Sequence, residues 1–283
     1  MRVYTSNAEI SAFIAAESHT TFSLGFVPTM GALHAGHLSL VKAALAANSL
    51  VVVSIFVNPT QFDNPSDLEQ YPRTLTEDLK LLETLSKTRI IVFAPTVAEV
   101  YGAETTATIF DFGTLESQME GKYRAGHFDG VGTIVKWLFE VVKPHTAYFG
   151  EKDFQQLQII KKMVEITQLA VTIVGCPIER ESNGLAMSSR NSRLTIKELE
   201  ASALIYNTLL SVKDKFNSEA SQDISKWVQT QFSNHPLFEL EYFQISESET
   251  LKPIQQKNLT KSYRAFIAIL ARDVRLIDNI ALN

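Results

Sequence analysis

The amino-acid sequence predicts an α/β protein with a doubly wound parallel sheet, followed by a smaller α+β domain. In the first half of the chain, short β-branched or aromatic runs alternate with longer segments of helical period, which indicates successive βαβ units. Polar, glycine-containing segments follow several of these runs, at the edge where such sheets bind ligands. From residue 195 onward the pattern changes to long helical stretches and two late strands, which predicts a second domain.

The predicted elements follow in chain order. Strands are expected at residues 22–27, 50–57, 89–93, 147–149 and 171–174, and helices at residues 34–47, 75–86, 131–142 and 154–166. In the second domain we expect helical stretches at 195–215 and 221–232, and strands at 240–245 and 264–270. A boundary near Cys176 and Pro177, followed by a turn at Ser182-Asn-Gly184, divides the chain into domains 1–176 and 177–283.

The composition argues against several classes of protein. With 45% hydrophobic and 20% charged residues, the chain of 283 residues can bury a sizeable core. A formal net charge of −5 argues against general binding to nucleic acid, and no apolar run approaches the roughly 20 residues that span a bilayer. The single Cys176 cannot form an internal disulfide, and residues 1–7 lack the layout of a signal peptide. We therefore expect a cytoplasmic protein without a membrane segment.

The most informative segment is residues 27–38, Val-Pro-Thr-Met-Gly-Ala-Leu-His-Ala-Gly-His-Leu, between the first predicted strand and the first predicted helix. A helix N-terminus at this edge favours phosphate, and Gly31 lets the main chain approach a ligand. His34 and His37 share one helix face and can stabilise charge on a reacting phosphate as hydrogen-bond donors. Surface or capping histidines are the alternative, and for an isolated His-x-Gly-His that alternative is preferred. The surrounding strand, turn and helix favour a functional pair.

A second polar segment, Val57-Asn-Pro-Thr-Gln-Phe62, follows the second predicted strand and reaches the same edge of the sheet. Asn58 and Gln61 offer neutral donors and acceptors suited to a polyhydroxy acid. Taken alone, an Asn-Pro turn with a solvent-exposed Gln is an equally good interpretation.

A third segment, Gly150-Glu-Lys-Asp-Phe-Gln-Gln156, repeats this arrangement after a later strand. Lys152 supplies a mobile cation for phosphate oxygens, and Asp153 caps the helix or accepts a hydrogen bond from a ribose hydroxyl. Gln156 is expected to contact substrate one turn further on. As a helix cap, Asp153 needs no ligand.

Two weaker segments complete the set. Gly184-Leu-Ala-Met-Ser-Ser-Arg-Asn191 combines two hydroxyls with a guanidinium and can hold a polyphosphate, although such a run is common in loops. Residues 121–131 are predicted to form a basic, glycine-rich loop whose charges cover an anionic substrate, unless Lys122 is simply solvated. Zinc-type Cys/His spacing and the Gly-x-x-x-x-Gly-Lys-[Ser/Thr] motif are absent from the sequence, so neither a structural metal nor a P-loop is indicated.

Together these segments resemble the pantothenate synthetase family, within the nucleotidylyltransferase superfamily that carries the His-x-Gly-His signature. The matching blocks run in order over nearly the whole chain: Pro28-Thr-Met-Gly31, His34-Ala-Gly-His37, Phe56-Val-Asn-Pro-Thr-Gln-Phe62, Tyr71-Pro-Arg73, Gly126-His-Phe-Asp-Gly-Val131, Gly150-Glu-Lys-Asp-Phe-Gln-Gln-Leu157, Gly184-Leu-Ala-Met-Ser-Ser-Arg-Asn191 and Arg275-Leu-Ile-Asp-Asn279. The resemblance implies a Rossmann-like N-terminal domain that binds ATP and pantoate, a smaller C-terminal lid, a homodimer, and Mg²⁺ bound with the nucleotide. It implies a ligase that condenses pantoate with β-alanine through a pantoyl-adenylate.

The resemblance also implies roles for individual residues. His37, His34, Lys152 and Arg190 are implied as catalytic, with His37 as a proton donor. The implied ATP site comprises Met30, Gly31, Ala32, Leu33, His34, Ala35, Gly36, His37, Gly150, Glu151, Lys152, Asp153, Glu179, Met187, Ser188, Ser189 and Arg190. The implied pantoate contacts are Pro28, Thr29, Gln61 and Gln156, and those to β-alanine are Asn58, Gln61 and Tyr71. Glu77 and Asp78 are the candidate magnesium ligands, although phosphate and water can supply most of that ion's contacts.

Two positions depart from the family pattern. Ala125 stands where the family usually has Pro before Gly-His-Phe, which predicts a looser loop. Arg272 stands where the family usually has Gly, which predicts an altered local geometry of the C-terminal domain.

Two other functions remain open from the sequence. A nucleotidylyltransferase of the same superfamily transfers AMP or CMP to a phosphorylated acceptor, and a non-catalytic regulator can bind nucleotide on the same scaffold. Retention of both histidines, Lys152 and Arg190 favours an enzyme, because binding alone does not need so many donors around one phosphate.

Overall fold

The structure, a computed structural model, describes residues 1–17, 22–62 and 65–283. Within these ranges, six strands form one parallel sheet in the order β1-β4-β3-β2-β5-β6. The strands are β1 Arg2–Tyr4, β2 Leu24–Thr29, β3 Leu50–Ile55, β4 Ile90–Phe93, β5 Thr146–Gly150 and β6 Thr172–Cys176. The predicted doubly wound parallel sheet is confirmed.

The strand order reverses between β2 and β5. β2 is hydrogen-bonded to β3 on one side and to β5 on the other, so consecutive βαβ units run outward in both directions from this pair. In such sheets, ligands bind in the crevice outside the carboxyl ends of the strands at the point of reversal. Thr29 and Gly150 end these two strands, so the segments that follow them are placed where a ligand site is expected.

The helices of the described chain are α1 Asn7–Glu17, α2 Ala35–Ala47, α3 Pro65–Gln70, α4 Leu75–Glu83, α5 Val97–Tyr101, α6 Met119–Tyr123, α7 His127–Val142, α8 Phe154–Thr167, α9 Ile196–Ala201, α10 Ala203–Phe216 and α11 Ser221–Phe232. No helix in this part of the chain is long and apolar enough to cross a bilayer. The buried face of α2, with Leu40, Val41 and Ala44, packs in one cluster with the sheet residues Val51 and Val53. Burying a leucine or valine side chain stabilises the fold by about 1.5–3 kcal/mol.

The chain separates into two compact units. The first comprises residues 1–112, 121–151 and 156–177, and the second comprises residues 113–120, 152–155 and 178–283. The first unit contains the parallel sheet. The roles assigned to the predicted domains 1–176 and 177–283 stay predictions.

The second unit contains a separate antiparallel sheet. Its strands among the described residues are β7 Glu239–Glu247, β8 Tyr263–Ala271 and β9 Val274–Ala281, with β8 in the centre. Buried residues of α10 and α11, among them Leu209 and Val228, share one core cluster with Ile267 of β8. The smaller α+β region predicted from the sequence is thereby confirmed.

Several predicted bounds and elements were wrong. The first predicted strand begins at Leu24 and is the second in the chain, because β1 and α1 precede it. β1 has only 3 residues and leaves almost no periodicity to detect. α7 begins at His127, four residues before the prediction, and α6 overlaps the first three residues of the segment 121–131, which was predicted to be a glycine-rich loop.

Two further differences lie in the second unit. The predicted stretch 195–215 is broken at Ser202, whose buried hydroxyl donates to the Leu199 carbonyl at 2.6 Å. Such a local bond competes with continuation of a helix. β9 was not predicted as a strand, because its polar residues Arg275, Asp278 and Asn279 interrupt the apolar pattern.

Candidate active site

The loop between β2 and α2 is held by a carboxylate from α4. Gly31 has φ +83° and Ala32 has φ +49°, so the chain turns through left-handed backbone immediately after the strand. The Asp78 carboxylate accepts hydrogen bonds from the main-chain nitrogens of Ala32 at 3.0 Å and Leu33 at 2.7 Å. A side chain at Gly31 would meet Asp78 Oδ2 at 3.0 Å, so glycine is needed both for its φ and for this carboxylate.

His34 and His37 open α2 as a reciprocal cap. His34 Nδ1 accepts from the Gly36 nitrogen at 3.2 Å, and His37 Nδ1 accepts from the His34 nitrogen at 3.4 Å. The ring centroids are 4.1 Å apart. Since both Nδ1 atoms accept, the neutral imidazoles carry their hydrogens on Nε2. Capping therefore fixes the tautomer that a phosphate-binding donor needs, and the capping and functional interpretations are compatible.

Asp78 has a structural function that bears on the metal hypothesis. Burial raises the pKa of its carboxyl above the usual range, and the hydrogen bonds from Leu33, Ala32 and Thr74 oppose that rise. Its oxygens are engaged with the loop, and across residues 1–17, 22–62 and 65–283 no three His, Cys, Asp or Glu side chains converge as metal ligands. The assignment of Glu77 and Asp78 as magnesium ligands stays a prediction.

Gln61 lies in the turn after β3, which forms a short 3-10 helix over Pro59–Gln61. Its Nε2 lies 3.1 Å from Met30 Sδ, and its Oε1 accepts from Asn58 Nδ2 at 3.2 Å. Asn58 is buried and also donates to the Gly130 carbonyl at 3.1 Å. Gln61 thus contacts Met30 in the loop between β2 and α2. Asn58 holds the Gln61 side chain by its hydrogen bond to Oε1.

The remaining predicted substrate residues of the first unit have mostly structural contacts. The Thr29 hydroxyl donates to the Ser54 carbonyl at 2.7 Å and accepts from the Gly31 nitrogen at 3.2 Å. Tyr71 is 8% exposed, and its ring packs edge-on against Phe62 with centroids 5.6 Å apart. Pro28, Gly150, Glu151 and Gln156 are half-buried.

Lys152 belongs to the second unit, where a network of polar residues fixes its main chain. Its carbonyl accepts from Asn279 Nδ2 at 2.9 Å, and its Nζ lies 3.6 Å from the Asp153 carboxylate. Asn279 Oδ1 in turn accepts from Arg264, whose guanidinium stacks 3.9 Å above the Phe154 ring. The position of the Lys152 backbone is therefore set from β8 and β9.

Residues 179–187 form a small hairpin that shapes the Ser-Ser-Arg segment. The Met187 nitrogen donates to the Glu179 carbonyl at 2.9 Å. Past the hairpin, Ser188 caps a short 3-10 helix by accepting from the Arg190 nitrogen at 3.3 Å. A hydroxyl that accepts in this way still has its own hydrogen to donate, so Ser188 and Ser189 can serve as phosphate donors.

Comparison with known protein families gives a match over nearly the whole chain. The sequence profile of the family described as pantoate-beta-alanine ligase matches residues 2–281. The chain belongs to the pantoate–β-alanine ligase family.

Relatives and solved structures of this ligase family cover the chain almost completely. The pantothenate synthetase of Flavobacterium psychrophilum is 51% identical over 283 residues and covers 100% of both chains. That of Christiangramia forsetii is 57% identical over 261 residues, 92% of each chain. The crystal structure of pantothenate synthetase from Thermus thermophilus matches with a TM-score of 0.90 at 37% identity, covering 100% of this chain and 99% of that one. A pantoate-beta-alanine ligase from Francisella tularensis, described as complexed with beta-gamma ATP and β-alanine, matches with a TM-score of 0.81 at 34% identity, covering 100% of this chain and 98% of that one.

The departure from the ligase pattern at Arg272 has a structural explanation. Arg272 lies in the β8–β9 turn with φ +53°, a conformation that favours glycine. Its guanidinium forms a bidentate pair with the buried Glu198, with Nε–Oε1 at 2.5 Å and Nη2–Oε2 at 2.9 Å. Glu198 also accepts from the Thr195 nitrogen at 2.8 Å and so caps α9. The ion pair therefore offsets the cost of placing Arg at a glycine position. At the other departure, Ala125 is exposed and precedes Gly126, which has φ +74°.

Some residues that support the candidate site were not found from the sequence. Tyr101 lies on α5, where its hydroxyl donates to Asn58 Oδ1 and lies 2.8 Å from Thr60 Oγ1. Nothing in the Val97–Tyr101 segment signals this contact, which spans about forty positions. His127 and Arg124 bond to the turn at Gln61. Both lie in the basic segment 121–131, whose charges were expected to cover an anionic substrate, but the bond to this turn was not predicted.

Proposed function

We propose that this chain condenses pantoate with β-alanine in an ATP-dependent ligase reaction. The observation that carries the proposal is the reciprocal cap of His34 and His37 at the carboxyl end of β2, which leaves the hydrogen of each neutral imidazole on Nε2. Membership of the ligase family supports the same reaction.

The first half-reaction is adenylation. A carboxylate oxygen of pantoate attacks the α-phosphorus of ATP, the bond from that phosphorus to the bridging oxygen breaks, and pyrophosphate leaves. His34 and His37 stabilise the developing charge, with His37 in the proton-donor role, and Lys152 and Arg190 neutralise phosphate oxygens. Positioning two anions and offsetting their charge is the main task of the protein.

The second half-reaction forms the amide bond. The amine of β-alanine attacks the acyl carbon of pantoyl-adenylate, the acyl–phosphate bond breaks, and AMP leaves while the amine loses a proton. We propose that Gln61 and Gln156, with Pro28 and Thr29, hold pantoate. Gln61 and Tyr71 are proposed to contact β-alanine, with Asn58 acting through Gln61 because its amide is buried and already bonded.

The nucleotide is proposed to contact donors from several segments. These are Met30 to His37, Gly150 to Asp153, Glu179, and Met187 to Arg190. We propose that Mg²⁺ accompanies ATP and takes its ligands chiefly from phosphate and water, since the described residues offer no three-ligand group.

Assembly and location extend the proposal. We propose a homodimer in the cytoplasm, with the smaller C-terminal domain as a lid that limits hydrolysis of the adenylate. The homodimer and the lid rest on the family resemblance, and the location rests on the composition of the sequence.

Pyrophosphate exchange tests the proposed reaction. Purified protein should incorporate labelled pyrophosphate into ATP only when pantoate is present, and should release AMP in quantity only after β-alanine is added. Exchange that needs a phosphorylated acceptor in place of pantoate would favour a nucleotidylyltransferase. Nucleotide binding without any exchange would favour a regulator.

A further inference from the structure

The first turn of α7 lies directly against the turn that carries Gln61. The Gly130 carbonyl accepts from Asn58 Nδ2 at 3.1 Å. A β-carbon built at Gly130 would lie 2.3 Å from the Thr60 carbonyl oxygen and 2.7 Å from the Gln61 nitrogen. Both are backbone atoms that cannot move aside, so helix and turn fit together only because this residue is glycine.

The side chain of His127, the first residue of α7, bonds to the main chain of the same turn. His127 Nδ1 lies 2.7 Å from the Gln61 carbonyl oxygen, and since a carbonyl only accepts, Nδ1 carries the hydrogen. On the other side of the ring, Arg124 Nη1 lies 3.1 Å from Nε2, and since a guanidinium only donates, Nε2 accepts. His127 is therefore a neutral imidazole in a defined tautomer, 7% exposed and bonded at both nitrogens.

Arg124 adds a second bond to the same acceptor. Its Nη2 lies 3.3 Å from the Gln61 carbonyl oxygen, so Arg124 and His127 converge on one oxygen while Arg124 also orients the imidazole. The Arg124 guanidinium is thus directed at the Gln61 carbonyl and at the His127 ring.

We infer that His127 is a positioning residue for the substrate acid and acts through Gln61. Arg124 orients the His127 imidazole and fixes its tautomer by donating to Nε2. The inference rests on the proposed function in that Gln61 is taken to bind pantoate. A carbonyl bonded at 2.7 Å fixes the backbone of Gln61, and the Asn58 amide then fixes the side chain. Displacing a positioning group by about 1 Å can cost roughly 10²-fold in rate.

Substituting His127 by asparagine or by glutamine distinguishes the roles of its two ring nitrogens. In His127→Asn the side-chain amide reaches the place of Nδ1 and can still donate to Gln61, whereas in His127→Gln it reaches the place of Nε2 and cannot. His145→Ala serves as a control for loss of a structural histidine, because His145 Nδ1 accepts from the Leu24 nitrogen at 2.9 Å, at the amino-terminal end of β2.

The measurements are KM and kcat for pantoate and for ATP, the calorimetric Kd of pantoate, and Tm. We expect His127→Gln to lower kcat/KM for pantoate by roughly 10–100-fold with the KM for ATP within about twofold of wild type. His127→Asn should recover to within about threefold of wild type, and His145→Ala should lower Tm without changing pantoate kinetics. Equal losses in His127→Asn and His127→Gln, or a parallel rise in the KM for ATP, would overturn the inference.

Arg124→Gln keeps the test decisive if His127→Gln does not fold, because Arg124 is partly exposed. It should weaken pantoate binding by roughly 3–10-fold, and unchanged binding would overturn the inference. If the wild-type protein binds pantoate but shows no pyrophosphate exchange, the proposed reaction is contradicted and the positioning role is not. If the wild type shows normal exchange and the variants keep wild-type pantoate kinetics and binding, only the positioning role is contradicted. A wild-type protein that binds no pantoate would contradict both.

Discussion

The Asp78 carboxylate oxygen Oδ1 lies 2.7 Å from the Leu33 nitrogen, which joins the start of α4 to the loop that leads into the histidine pair. The second oxygen, Oδ2, accepts from the adjacent Ala32 nitrogen at 3.0 Å. Both N–H groups precede the N-cap of α2, so the orientation of His34 and His37 depends on a residue of another helix.

Asp78→Asn should damage this loop. The amide that replaces one oxygen places a donor against a main-chain N–H, and leaving a buried donor without a partner costs about 1–3 kcal/mol. We expect a lower free energy of unfolding and a raised KM for ATP, with the KM for β-alanine changing least. Denaturant titration and steady-state kinetics measure both effects. Glu77→Gln, on the adjacent position, is the control, and equal kinetic damage from both variants would favour a metal-binding role for the pair.

Tyr101→Phe should loosen the support of Gln61. Burial raises the pKa of the Tyr101 phenol, so it stays protonated and can donate to Asn58 at neutral pH. Losing this hydrogen bond should cost about 0.5–1.5 kcal/mol of stability and raise the KM for pantoate several-fold. Tyr4→Phe removes a hydroxyl from β1 in the same unit and should leave that KM unchanged. A Tyr101→Phe enzyme with an unaltered KM for pantoate would contradict the supporting role.

Arg272 offers a test of how an arginine is tolerated at a left-handed position. Arg272→Ala and Arg272→Gly both remove the ion pair with Glu198, but only glycine relieves the φ of +53°. We therefore expect Arg272→Ala to have the lower Tm of the two. A Tm for the alanine variant equal to or above that of the glycine variant would show that the backbone conformation costs little.

The same pair predicts a pH dependence. The Arg272 guanidinium lowers the pKa of Glu198 from 4.5 to about 2 in the folded state, helped by the hydrogen bonds from Thr195. A carboxyl with a depressed folded pKa stabilises the protein above its unfolded pKa, and this contribution is lost as the pH falls toward the folded pKa. The Tm difference between wild type and Arg272→Ala should therefore be constant above about pH 5 and shrink as the pH is lowered below 4.5 toward 2. A difference that grows on acidification would contradict the pairing.

The sequence was sufficient to predict the sheet and the histidine pair because both depend on local patterns. The valine-rich run Leu50–Ile55 reads as a buried strand, and His34 and His37 lie within one helical turn. The contacts that orient the site are not local. Asp78 and Leu33 are 45 positions apart, Gln61 and His127 are 66 apart, and Lys152 and Asn279 are 127 apart. No pattern in a single sequence joins such pairs, so the bonds of Asp78 to the histidine loop and of His127 to Gln61 could not be predicted.

Substitution of His37 shows whether the His34–His37 pair donates from Nε2 to the reacting phosphates. His37→Asn keeps an acceptor at the place of Nδ1, and so keeps the cap on α2, but removes the Nε2–H donor. His37→Gln places an amide near Nε2 and serves as the matched comparison.

Pantoate-dependent exchange of pyrophosphate into ATP is the decisive measurement. Losing one donor to the transition state typically costs 10²–10³ in rate, or about 3–4 kcal/mol, so His37→Asn should lose roughly that factor while its Tm stays near that of wild type. His37→Gln should retain more exchange than His37→Asn. Near-normal exchange in His37→Asn would mean that the pair only caps the helix, and would contradict the account.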